Sequence, residues 1–293
     1  MLRFLRLLRL AIWRTLMHDG FAIAKGAAYS SILTLFPAFM LAGSILAASH
    51  TTADFLREIS YAVGRIMPSG TRAAAQIYFE SSQARPSRFL VFASISTLWI
   101  ASGVMISWME GFRRAYQIPK TWGLLKERLI AFFLVFIALV PMTFASLLVA
   151  FGNQSETWME FHTGHEFAPY LLLIWTAVRW IISALTSIAV ILLIYHFAVP
   201  RTLPWHSAMP GASLATALWF PATLLFGWYL RNYATYNLFY GSLGTAIAVL
   251  VWLYIVSIII LIGAEFNALI FPRAVLGQPS SEAALAASRP GTA

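Results

Sequence analysis

Six long runs of apolar residues alternate with short polar stretches along this chain. They fall at about 27–48, 89–109, 129–151, 170–197, 212–230 and 243–271. At 1.5 Å per residue, each is long enough to cross a hydrocarbon core about 30 Å thick. The last run is the most extreme, because between Leu243 and Phe271 the one charged residue is Glu265. A helix in a soluble core rarely stays so apolar for so long. The pattern therefore predicts an all-α, polytopic membrane protein with six transmembrane helices.

The polar stretches carry a helical period of their own. Residues 1–18 read as an amphipathic helix, with Arg3, Arg6, Arg9 and Arg14 inside an arc of about 140° and apolar side chains, Trp13 among them, on the rest. Such a helix lies in the bilayer interface with its arginines on anionic phospholipid headgroups. No signal-peptide cleavage is expected, since the small residues Ala47-Ala48-Ser49 come only after a full span. Two more amphipathic helices are expected in the first outer loop, between His50 and Arg88, on either side of the turn Pro68-Ser69-Gly70. The domain reading is thus an interfacial helix at 1–18, a transmembrane domain at 19–272, and a disordered cytoplasmic tail at 273–293 rich in Ala, Ser, Gly and Pro.

Composition narrows the class. The chain is 60% hydrophobic and 11% charged, which excludes an ordinary soluble domain. It has no cysteine, so disulfides and thiolate chemistry are absent. A net charge of +9 invites a nucleic-acid partner until its distribution is considered. With six spans, thirteen of the 20 Lys and Arg residues fall on the side that carries both termini, six on the other, and Arg179 within the membrane. The positive-inside rule then places both termini in the cytoplasm. Orientation accounts for the charge, and no nucleic acid is called for.

Several residues are costly where they stand. Pro37, Pro141 and Pro221 lie inside spans, where each removes a backbone hydrogen bond and kinks the helix. Arg179, followed by Trp180, sits near the middle of the fourth span, and Glu265 and Asn267 lie late in the sixth. Intramembrane ions and broken helices mark substrate pathways in transporters. Tyr29, Arg179, Trp180, Glu265 and Asn267 are accordingly candidate pathway residues, around a cavity between spans one, four and six. The plainer alternatives are that Glu265 bonds a neighbouring helix end and that Arg179 snorkels to the outer interface. Their depths are expected to differ by something like 15 Å, too far for a direct pair. No catalytic, metal or cofactor constellation is found. Asp19, Glu110, Glu127 and Glu282 are scattered, with His18, His196 and His206, over the cytoplasmic side. His162-Thr163-Gly164-His165-Glu166 lacks the zincin order, and its glycine argues for a loop.

Several motifs together resemble one family. They are Ala28-Tyr29 with Leu33-x-x-Phe36-Pro37, Arg179-Trp180, Pro210-Gly211-Ala212 after a Pro-rich connector at 198–210, Tyr240-Gly241-Ser242-Leu243-Gly244, Trp252-Leu253-Tyr254, and Gly263-Ala264-Glu265-x-Asn267. In this order, from about Asp19 to Asn267, they resemble the YihY/BrkB family of bacterial inner-membrane proteins. The connection at Arg113-Arg114-Ala115-Tyr116 departs from that pattern. The resemblance implies six spans, both termini inside, serum-resistance virulence and, in some relatives, transport of lipid-like envelope material. A ribonuclease BN label also attached to the family, but the residues here supply no clustered acids or histidines for hydrolysis. Two readings stand. One is a transporter or translocator of an amphipathic, anionic, lipid-like substrate. The other is a non-transporting envelope scaffold, as a homo-oligomer or with an envelope protein partner. Gly244 and Ala248 offer a close helix contact, within or between chains.

Overall fold

A computed structural model of the chain describes residues 2–48, 87–141, 143, 168–200, 204–233 and 242–272. Among these residues there are seven helices and no strand. They are α1 (Leu2–Met17), α2 (Gly20–Ala48), α3 (Ser87–Ala115), α4 (124–141), α5 (Ala168–Phe197), α6 (Trp205–Tyr233) and α7 (Ser242–Ile270). The expected surface helices of 50–88, the His162–Glu166 stretch and the tail from 273 lie outside the described residues.

Five of the helices, α2, α3, α5, α6 and α7, are long and apolar enough to cross a membrane. α4 opens on Lys126, Glu127 and Arg128 and then turns apolar; the span expected at 129–151 runs through it and on beyond the described residues. Large apolar side chains point outward, with Phe36 at 69%, Phe92 at 69% and Leu224 at 71% exposure. Water would penalise such a surface heavily, and a bilayer does not. The hydroxyl groups within the spans are absorbed locally. Ser31, Thr34, Thr97, Ser107, Ser187, Thr216 and Ser257 each donate to the carbonyl four residues back on their own helix. The protein is an all-α, polytopic membrane protein.

Helix ends differ from the limits of the apolar runs. α2 begins at Gly20, ahead of Lys25, and α3 continues through Glu110, Arg113 and Arg114 to Ala115. An apolar run stops at the first charge, whereas backbone bonding continues past the hydrocarbon edge. Pro37 and Pro221 lie inside α2 and α6, and Pro141 is the last residue of the continuous part of α4. The proline-rich connector read at 198–210 needs correction, because α6 already begins at Trp205 and Pro210 lies inside it. Pro204 starts the helix: its carbonyl accepts from the Ser207 N–H at 2.9 Å and from the Ser207 hydroxyl at 2.7 Å.

α7 is the hub, packing on α6, α2, α3 and α1. From Ile259 to Ala268 every residue is buried, whereas Ile247, Leu250 and Val251 near its start are exposed. A helix stretch apolar all round belongs in a core, and this one forms the core where the helix ends gather. Gly211 of α6 faces Gly263 of α7 at the tightest crossing. A Cβ on Gly211 would overlap the Gly263 carbonyl and the Asn267 amide. A Cβ on Gly263 would overlap the Tyr195 hydroxyl and the Gly211 carbonyl. Small residues let two backbones touch in this way. Gly211→Ala should therefore destabilise the protein by about 1–3 kcal/mol, the usual cost of overpacking. Thermal unfolding in detergent reads this out. Gly227→Ala, where an added Cβ meets open space, is the control and should not lower the midpoint.

Candidate functional site

Polar chemistry converges on one end of the bundle, where α1 meets α2, α3 meets α4, α5 meets α6, and α7 finishes. Asn267 is buried at its centre. Its Oδ1 accepts the Gly211 N–H at 2.6 Å, and its Nδ2 donates to the Ala208 carbonyl at 3.0 Å. Pro210 lies between those two backbone groups, so the amide braces α6 on either side of a residue that has no N–H of its own. Nδ2 also approaches the Tyr116 hydroxyl at 3.4 Å. Burial holds the Tyr116 hydroxyl well above the ordinary phenol range, against the opposing influence of its bond with Asn267, so it stays neutral. Beside it, Tyr195 donates to the Ile260 carbonyl at 2.6 Å, tying α5 to α7.

Glu265 is 2% exposed and turns the other way, toward α1. His18 Nδ1 lies 2.5 Å from Glu265 Oε1, and Arg14 Nε lies 3.8 Å from Oε2. Ala11 and Thr15 bury the same face of α1, and Phe4 meets Phe266 edge to face at 5.8 Å. α1 is therefore strapped along the end of α7. Arg3, Arg6 and Arg9 stay exposed, and Arg14 leaves that set to face the carboxylate.

A third cluster lies between α2, α3 and the α3–α4 turn. Arg113 is buried and bonds both Glu127 and Glu110. Arg114 bonds Glu110 at 3.0 Å and Asp19 at 2.5 Å, and Lys120 bonds Glu127 at 3.1 Å. Burial, the largest influence on Glu127, disfavours its charged form; the bonds from Arg113 and Lys120 outweigh it and hold the carboxyl below its usual range. These groups line a cleft of about 450 Å³. Three acids that are scattered in sequence, Asp19, Glu110 and Glu127, meet here. The arginines of the connection at 113–116 are its framework.

The five residues read as one pathway do not line one chamber. Tyr29 is 63% exposed on α2, and Trp180 is 48% exposed and packs edge to face on Phe220 at 6.2 Å. Arg179 is 7% exposed on α5. The Tyr195–Ile260 bond sets α5 and α7 level at that point. Arg179 lies 16 residues back from it and Glu265 five residues onward, so the two ions are separated by roughly 30 Å along the helix axes. Glu265 and Asn267 are neighbours on α7 but serve different partners. What sequence did not foretell is the pairing of Arg14 and His18 with Glu265, of Gly211 with Gly263, and of Arg113 with Glu110 and Glu127. Of these, only the Glu110-to-Arg113 and Glu110-to-Arg114 spacing carries a local signal.

The strap is directly testable. A charge-assisted hydrogen bond contributes about 1.5–3 kcal/mol, and tenfold in opening corresponds to about 1.4. In detergent-solubilised protein, Glu265→Leu should speed tryptic cleavage within α1 by about tenfold or more. Glu265→Gln, which keeps the bond to His18 and loses the charge, should fall between. An unchanged rate in both variants would show that α1 is held by apolar packing alone.

Comparison with known proteins gives consistent relatives. The chain is 28% identical over 261 residues to the putative ribonuclease-like protein YfkH of Bacillus subtilis, covering 89% of this chain and 93% of that one. It is 24% identical over 266 residues to a UPF0761 membrane protein of Tolumonas auensis, covering 87% and 82%. It is 27% identical over 267 residues to a UPF0761 membrane protein of Rhodospirillum centenum, covering 89% of this chain and 56% of the relative. No solved structure matches it. The profile of virulence factor BrkB matches residues 11–285, nearly the whole chain, and the protein belongs to that family.

Proposed function

We propose that the protein is a transporter or translocator of an amphipathic, anionic, lipid-like substrate in a bacterial inner membrane. Arg179 is the internal cation that meets the substrate's charge. Its burial carries the reading. Arg179 lies within the span Ile174–Phe197 at 7% exposure, whereas Val178, Trp180 and Ile181 beside it are exposed. A helix with an arginine on its lipid face incurs about 2.5–3.5 kcal/mol on insertion scales; turning the cation inward avoids this and gives the interior a positive charge. The proposed role is not enzymatic. The ribonuclease-like name belongs to a relative, and among the described residues no three His, Asp or Glu stand together as a metal site. The purified chain cleaving RNA, with loss on mutation of a specific acid, would overturn that part.

A non-transporting envelope scaffold is the second reading, favoured by the tight end of the bundle. Passage there requires the Gly211–Gly263 contact and the Asn267 amide bonds to part. Flux in proteoliposomes separates the two. Transport predicts that the native chain moves an anionic lipid analogue and that Arg179→Ala abolishes movement while still inserting and accumulating. Normal flux in that variant removes Arg179 from the role, and no flux in the native chain favours the scaffold.

The same reading sets both termini in the cytoplasm, supported by thirteen of the 20 basic residues on that side. Because the chain has no cysteine, introduced ones report cleanly. In intact spheroplasts, an impermeant maleimide should label Thr163→Cys and should label Arg3→Cys only after lysis. The reverse pattern would invert the topology.

A further inference from the structure

We infer that the cleft between the start of α2, the end of α3 and the α3–α4 turn binds the headgroup of a zwitterionic phospholipid, a phosphate ester with an ammonium. The inference stands apart from transport, because a lipid seated here need not move.

The cleft measures about 450 Å³, within the about 300–1,000 Å³ range of small-molecule sites. It sits where the start of the span Gly20–Leu41 meets the charged end of the span Val91–Ala115. Its deep pair is spent: Arg113 and Glu127 are 5% and 4% exposed and bond each other. The mouth is not spent. Arg114 uses Nε on Glu110 and one terminal nitrogen on Asp19, which leaves three of its five N–H groups. Lys120 uses one of three on Glu127 and is half exposed. Five N–H donors on two cations suit the oxygens of a phosphate. Asp19, bonded to Arg114 through one oxygen, is 69% exposed with lone pairs left for an ammonium. The three cations and three carboxylates balance, so a net anion gains little from the overall field, whereas a zwitterion meets both signs in place.

Two backbone features shape this mouth. Asp19 has φ 58° and Gln117 has φ 54°, the left-handed region that favours glycine. Gln117 closes α3 in a Schellman turn, with Ile118 N–H on the Arg113 carbonyl at 2.9 Å and Gln117 N–H on the Arg114 carbonyl at 3.2 Å. Non-glycine residues keep this conformation where their surroundings over-determine it, and such residues cluster at ligand clamps. The floor is of opposite character. Ala22, Ile23, Gly26 and Ile106 line it beneath the charges. Charge at the mouth and small apolar groups below follow the order of a lipid, headgroup first and acyl chain next.

The full chain in detergent, titrated with lipids of identical acyl chains and read by native mass spectrometry, tests this. Phosphatidylethanolamine, whose ammonium can donate to Asp19, should bind about tenfold tighter than phosphatidylglycerol, and Lys120→Met should weaken it about tenfold. Asp19→Asn, which tolerates the left-handed backbone equally, should bring phosphatidylglycerol up to parity. Gly26→Leu should fill the floor and abolish binding with the lipid-free melting midpoint kept. Gly26→Ala should retain binding, since its Cβ meets Ser107 Oγ at an ordinary 3.5 Å. Three results overturn the inference: phosphatidylglycerol binding as tightly as phosphatidylethanolamine, no change in Lys120→Met, or an unchanged lipid ratio in Asp19→Asn. Glycerophosphoethanolamine binding as tightly without acyl chains overturns the lipid and leaves a soluble phosphate ester as the ligand.

Discussion

The buried end of α7 imposes one constraint on everything near it: no polar group there has water to fall back on. An unsatisfied amide or carboxylate in such a place costs several kcal/mol, so partners must come from protein. Asn267 meets the constraint by supplying both a donor and an acceptor to the backbone of α6 around Pro210. Gly211 and Gly263 permit it, because only bare backbones bring the amide within 2.6 Å of the Gly211 nitrogen. Proline, glycine pair and amide act as one joint. The amide braces the backbone on either side of the proline, and it reaches because the glycines leave room.

Around this joint the ionic groups sort by depth. Glu265 is deepest and is met by Arg14 of α1 and by His18 just beyond its end. Arg113 and Glu127 form a covered pair one layer out, and Arg114, Lys120 and Asp19 form the rim. Isolated surface pairs of this kind contribute little, but a network over a buried base fixes geometry, and geometry is what a recognition site needs. Arg179 stands apart, roughly 30 Å along the axes from Glu265. The protein therefore has two separate places where charge enters the membrane domain, and the transport reading concerns only the second.

Much of the fold was legible from apolar run length alone, because a bilayer leaves the chain few alternatives to long helices. The apolar-run rule failed at the ends. It stopped α2 short of Gly20 and α6 short of Trp205, since charge and proline mark the hydrocarbon edge and not the helix edge. Site residues were legible singly and not in their pairings. Glu265 and Asn267 stood out as polar residues in oil, but nothing local says that one serves α1 and the other α6. Asp19, Glu110 and Glu127 read as scattered because their proximity is created by helix packing between distant segments. The hydroxyls of Ser257 and Thr216 add nothing to a polar lining, since each is satisfied on its own helix.

The contact between His18 and Glu265 joins residues 247 positions apart. α1 precedes α7 in the chain, so it finds this seat only when α7 has been made and has entered the bilayer. Until then the amino-terminal segment has no carboxylate to receive it, and its arginines remain open to proteases. Docking of that segment therefore records that α7 has been inserted, with no further component needed to report it.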